Sequence, residues 1–210
     1  MTNRLFSLAR RAVLFEVRIY RNLARWVFRR PDVRGESIEP FGYAQLITPV
    51  LSLWIVASAV ETVVVHFLLP WEGIRLAADV LGLWGLVWML GFLGGMRVYP
   101  HLLTPSALRV RHGGSIDLVV PWDVVERVTV TKSELPSSMR TLHETETERG
   151  TALQVGVGGE TNVHAVLRRP TRVRTPRGER DIVAVSFFTD DPRALVARAK
   201  EHVAAHAAIS

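Results

Sequence analysis

Cysteine is missing from all 210 residues, which excludes disulfides, thiol nucleophiles and every cysteine-ligated zinc or iron–sulfur site. Lysine is scarce: 24 of the 26 basic residues are arginine, a bias that with abundant Ala, Val and Gly fits a high-GC bacterial genome. Phosphate-loop chemistry lacks its parts. GVGG at 156–159 has Thr161 where a dinucleotide fingerprint needs its third glycine, and no GKS or GKT occurs, so this stretch reads as a turn. Residues 44–60 and 80–96 lack charge altogether, and that absence organises the rest of the chain.

The formal net charge of +6 divides into +5 over residues 1–40, −1 over 41–98 and +2 over 99–210. The basic excess lies in an arm beside a nearly uncharged middle, which favours an anionic membrane surface over nucleic acid as partner. Within the arm, Arg4, Arg11, Arg18 and Arg25 repeat every seven residues, while Leu5, Leu8, Phe15, Ile19 and Trp26 fill the apolar remainder. The spacing predicts an amphipathic helix over 3–29 at the headgroup layer, its heptad arginines facing anionic lipid. A helix packed on a soluble domain is the alternative. Pro31 ends the helix, and 34–37 form a polar connector. Arginines interrupt every early apolar run, so no cleavable secretory signal is expected.

The middle contains two spans, about 44–69 and 75–97, each long enough for a hydrocarbon core of ~30 Å, joined by a turn at Pro70–Gly73. Arginine is abundant before the first span and returns after the second. The positive-inside rule therefore predicts a plasma-membrane hairpin with both termini cytoplasmic. Glu61 interrupts LSLWIVASAVETVVVHFLL (51–69), and a buried carboxylate needs a partner or a proton. With the hairpin tip near Glu72, equal depth places Glu61 opposite Trp84 and His66 opposite Asp79. Two interhelical pairs that fix the hairpin are expected. Gly91 and Gly95 form a GxxxG pair for close helix packing, within the hairpin or between copies of the chain.

Residues 99–210 change character. Seven short runs rich in Val, Ile and Thr are separated by turns, at 108–111, 115–120, 124–131, 151–156, 163–167, 171–174 and 182–188. Asp191 offers an N-cap and Pro192 a first helical position for a final helix to about Ala207. LTPSALRVRHGGSIDLVVPWDVVERV and DDPRALVARAKEHV, following a transmembrane pair, resemble bacterial, especially actinobacterial, two-transmembrane-helix membrane proteins with a PH-like domain. The likeness covers about residues 41–205. Together with the arm read above, the expectation is an α+β membrane protein: an N-terminal amphipathic helix and connector (1–40), a transmembrane hairpin (41–98) and a cytosolic domain (99–210) that the resemblance makes PH-like. That domain would be a seven-stranded antiparallel barrel capped by an α-helix. The family supplies no catalytic residues.

Other chemistry is thin. His202 and His206 are four apart on the final helix without a third ligand, and HETETE at 143–148 reads as a solvated acidic loop. No metal site and no cofactor is expected. Six arginines fall between 168 and 180, and of these Arg168, Arg169, Arg172 and Arg174 are candidates for anionic-lipid contact, since guanidinium forks match phosphate oxygens. The expected function is non-enzymatic: a plasma-membrane protein presenting a cytosolic PH-like binding or scaffolding module to a protein partner or anionic lipid. The alternative is a homo-oligomeric proton- or ion-handling component using Glu61 and His66.

Overall fold

The computed structural model describes residues 2–33, 35, 37–136 and 141–207, without the side chains of 2–9, 11 and 12. It is an α+β structure that divides into two compact units, Met1–Pro31 with Thr48–Val98, and Asp32–Ile47 with Tyr99–Ser210. The division in space thus differs from the order of the chain. The connector after the first helix belongs with the sheets.

The helical unit contains α1 (Thr2–Val27), α2 (Thr48–Leu68) and α3 (Glu72–Val98). At 1.5 Å per residue, the 21 residues of α2 extend about 31 Å, and both α2 and α3 are long and apolar enough to cross a membrane. No residue of α2 is buried, and Leu53, Trp54 and Phe67 are 69%, 63% and 81% exposed. Pro70, which has no amide proton, falls in the short link between the two helices. Antiparallel packing of α2 on α3 sets Thr62 against Gly82, where a Cβ would lie 2.5 Å from the threonine hydroxyl.

α1 does not stand alone in this unit. α1 runs along α3 in the same direction: Phe15 meets Trp88, Ile19 meets Gly91 and Asn22 meets Gly95. A Cβ on Gly91 would sit 2.7 Å from the backbone oxygen of Ile19, so only glycine admits this approach. The stripe containing Gly91 and Gly95 therefore receives α1 rather than the other arm of the hairpin. Among the described residues of α1, Ile19 and Asn22 are buried by this contact.

The second unit holds two sheets and a helix. The first sheet has order β1–β2–β3–β4, formed by Glu39–Phe41, His101–Leu103, Ala107–His112 and Ile116–Pro121. The second has order β5–β8–β9–β7–β6, from Val125–Glu134 (β5), Leu142–Thr147 (β6), Gly150–Val155 (β7), Glu160–Thr175 (β8) and Gly178–Phe187 (β9). Alternation builds the core. In β4, Ile116, Leu118 and Val120 point inward and their neighbours outward. Trp122 turns the chain from one sheet to the other, and its indole donates to the Thr104 carbonyl at 2.8 Å. Helix α4 (Pro192–Ala207) adds Leu195, Val196 and Ala199 to the same buried cluster. Asp191 Oδ1 caps it by accepting from the Ala194 amide at 2.9 Å.

The seven-stranded closed antiparallel barrel is corrected in three respects. Nine strands occur among the described residues, the sheets remain open, and β7 pairs with β9 in parallel. The runs at 163–167 and 171–174 are one strand of 16 residues, with its irregularity between Val166 and Thr171, because Pro170 interrupts the hydrogen-bond ladder without ending the strand. The acidic stretch 143–148 is mostly an edge strand. There β6 pairs with β7, carboxylates outward, as suits an exposed sheet edge.

Candidate functional site

In the helical unit, polar side chains occupy three places. His66 Nδ1 lies 2.8 Å from Asp79 Oδ2, linking α2 to α3 near the turn. Trp84 does not serve Glu61. Its indole N–H is shared between Glu16 Oε1 at 2.8 Å and the Tyr20 hydroxyl at 2.9 Å, while Tyr20 donates to Glu16 at 2.7 Å. Equal depth alone ignored α1, which approaches α3 and brings its own acceptor to Trp84. Glu16 and Tyr20, four apart on one helical face, could have been found by asking which α1 residues share a side with Ile19.

Glu61 is left in a groove of about 290 Å³ between α2 and α3, beside Ser58, Thr62, Gly82 and Gly85. Its carboxylate makes no hydrogen bond or ion pair among the described residues, and the residue is exposed. Thr62 turns its hydroxyl back to the Ser58 carbonyl at 2.8 Å. His66 and Glu61 therefore do not form a relay.

Arginines gather at the opposite end of this unit. Arg97 of α3 lies 5.3 Å from the centroid of the Trp26 ring and reaches Thr48 Oγ1 at 3.4 Å, so the end of α1, the start of α2 and the end of α3 converge. Arg25, Arg29, Arg30 and Arg97 line a cleft of about 590 Å³ there. The heptad spacing singled out Arg25 but not Arg29, Arg30 or Arg97, because only the helix ends bring them together. Arg18 is partly exposed, and the side chains of Arg4 and Arg11 lie outside the described residues.

Two of the four candidates in the second arginine group pair with acids. Arg172 Nε bonds Asp181 across the β8–β9 ladder at 3.3 Å, and Arg169 lies 3.5 Å from Asp123. Arg168 donates to the Val125 carbonyl at 3.3 Å, while Arg174 is exposed opposite Glu179. Surface pairs of this kind contribute little to stability, yet they lower the attraction of the strand for an anionic surface.

Buried polar groups in the second unit hold the connector. Tyr43 is fully buried, packs on His101 and His112 at 4.8 and 5.2 Å, and accepts the Gly113 amide at 2.8 Å. Arg111, only 3% exposed, binds the Asp32 carboxylate at 2.5 Å. His101 Nε2 donates to the Phe188 carbonyl while Nδ1 accepts the Arg111 amide. Burial lowers the His101 pKa to about 3 and that of His112 to about 4, so both are neutral at physiological pH. Burial raises the Tyr43 pKa, keeping its phenol protonated. This is a structural clamp. His202 stacks on Trp122 at 5.0 Å, and the His206 ring meets the His202 carbonyl, so neither histidine points to a shared ligand. Among the described residues no group of three or more His, Asp or Glu is placed to hold a metal. No known protein family, curated protein or solved structure matches the chain.

Proposed function

We propose that this chain is an integral plasma-membrane protein whose second unit is a cytosolic, PH-like, non-enzymatic module for binding or scaffolding a protein partner or anionic lipid. The observation that carries the reading is the exposure of apolar side chains on both long helices, from Leu53 and Trp54 to Phe67, Leu76 and Leu81. An apolar surface so extensive is costly in water and costs nothing against acyl chains. The convergence of Trp26, Thr48 and Arg97 supports one further point. The ends of α1 and α3 and the start of α2 meet at one end of the helical unit, and the arginines there favour the cytoplasmic side for that end by the positive-inside rule.

Reporter fusions at residues 1, 72 and 210 test the topology. A cytoplasmic signal at 210 with an external signal at 72 is expected, and the signal at residue 1 reads whether α1 crosses the bilayer beside α3. An external signal at 210 would overturn the reading. An external signal at residue 1 alone would make α1 a third spanning helix, the arrangement its parallel run along α3 allows. Glu61, exposed and without a partner among the described residues, favours a second reading in which copies of the chain assemble around it and handle protons or ions.

A further inference from the structure

The stop of α1 is built in a conformation that its sequence disfavours. Arg29 has φ of +51°, in the left-handed region where glycine is the usual occupant. Its amide bonds the Trp26 carbonyl at 3.0 Å, and the Arg30 amide bonds the Arg25 carbonyl at 2.8 Å, the paired contacts of a Schellman stop. An arginine at a position that favours glycine carries strain, and strain of this kind clusters at functional sites.

The surroundings bear on what that function is. Arg29 and Arg30 line the cleft with Arg97 and Trp26, and among the described residues no carboxylate lines it. Arg29, Arg30 and Arg97 form no ion pair among the described residues, in contrast to Arg109 with Asp117, Arg111 with Asp32 and Arg198 with Glu39 in the sheet unit. The carbonyl ends of α1 and α3 attract cations to this end of the unit, but a bound anion must be held by the side chains. Guanidinium forks suit phosphate oxygens, and a cleft of about 590 Å³ lies within the size range of small-ligand sites. Trp26 adds an amphipathic ring of the kind found at membrane interfaces.

We propose that Arg29, Arg30 and Arg97 form a binding site for a phosphate group, supplied by the headgroup of an anionic phospholipid. The identification of the lipid as its source rests on the membrane reading above, whereas the phosphate chemistry does not. The test uses the full chain in nanodiscs of phosphatidylcholine containing a minority of phosphatidylglycerol, with retained lipid counted by native mass spectrometry. A parallel arm follows inorganic phosphate by ³¹P NMR with protein in buffer or in pure phosphatidylcholine nanodiscs. The wild type should retain phosphatidylglycerol selectively, and Arg29→Gln with Arg30→Gln, or Arg97→Gln alone, should lower retention about tenfold or more. Arg172→Gln, in the sheet unit, should not. Arg29→Gly is the discriminating variant: relief of the left-handed strain should raise the thermal midpoint while retention falls. A phosphate response lost in the same variants, without lipid selectivity, would keep the site and move its source to solution. Equal retention by wild type and all cleft variants, with no phosphate response, would overturn the proposal. If the protein does not enter nanodiscs, the membrane reading fails, and the buffer arm still decides whether the cleft takes phosphate.

Discussion

IVASAV at residues 55–60 and IVAVSF at 182–187 are close in composition, yet none of the first six residues is buried and all of the second six are. The first lies on α2 of the helical unit and the second on β9 of the sheet unit. In the strand, neighbours on both faces and the C-terminal helix exclude water, so each apolar side chain contributes to folding. On α2 the same side chains face outward, and their burial is left to the surrounding medium. Hydrophobicity therefore specifies a core in one unit and an environment in the other.

The largest effect should separate the two directly. Phe187 is fully buried and meets His101 edge-on at 4.9 Å, so Phe187→Ala should cost about 3–5 kcal/mol. Phe67 is 81% exposed, and Phe67→Ala should change the stability of the helical unit by less than about 0.5 kcal/mol. Unfolding followed by separate probes in each unit checks both. A large loss from Phe67→Ala would show that α2 is covered by another protein surface, since lipid contacts alter little when helices separate within a bilayer.

Within the helical unit the comparison sharpens between two glycines of α3. A Cβ at Gly91 meets Ile19 side chain and backbone, whereas at Gly85 it meets nothing within 4 Å. Gly91→Ala should cost about 1–3 kcal/mol by overpacking and loosen α1, and Gly85→Ala should be neutral or slightly stabilising. Because the chain has no cysteine, a short bifunctional thiol crosslinker between Phe15→Cys and Trp88→Cys can report the α1–α3 contact. Its yield should fall in Gly91→Ala and hold in Gly85→Ala.

Legibility in the sequence followed the range of the interactions. The apolar helices, the turn at Pro70 and the cap at Asp191 are local patterns and are readable from spacing. β1 is not, because Glu39, Pro40 and Phe41 become a strand only by pairing with Leu103, Leu102 and His101 after two intervening helices. The same holds for Glu16, whose partner Trp84 is 68 residues away, and for Arg29 and Arg97, which meet through the ends of different helices. Charge spacing identified arginine-rich segments but could not tell Arg172, answered by Asp181 on the next strand, from Arg29 and Arg30, which form no ion pair among the described residues.

Acid should act on the sheet unit first. His101 and His112 have pKa values held by burial at about 3 and about 4, below the ordinary 6.5. Between those values the unfolded chain takes up protons that the folded unit refuses, so their contribution is complete above pH 6.5 and declines as pH falls towards 4. The unfolding midpoint of the sheet unit should drop across that window, and His112→Phe should flatten the drop. An unchanged slope in His112→Phe would mean that other groups set the acid response.

The smallest effects belong to the hairpin, where they bear on whether the helical unit is only an anchor. His66 and Asp79 form an interhelical bond at 2.8 Å, so a double-mutant cycle of His66→Ala and Asp79→Ala should give a coupling of about 0.6 kcal/mol, the average for such bonds in membranes. Among the described residues Glu61 has no bond to lose. Glu61→Gln should leave α2–α3 pairing within about 0.3 kcal/mol of wild type, and Glu61→Leu should favour membrane insertion by removing a charge from the span. A carboxylate that carries protons makes a different demand, because an amide in its place cannot titrate. Reconstituted vesicles separate the cases. No proton uptake in wild type leaves Glu61 without a transport role, whereas uptake present in wild type and lost in a normally folded Glu61→Gln would turn the exposed groove beside Ser58 and Thr62 into part of a path completed by other copies of the chain.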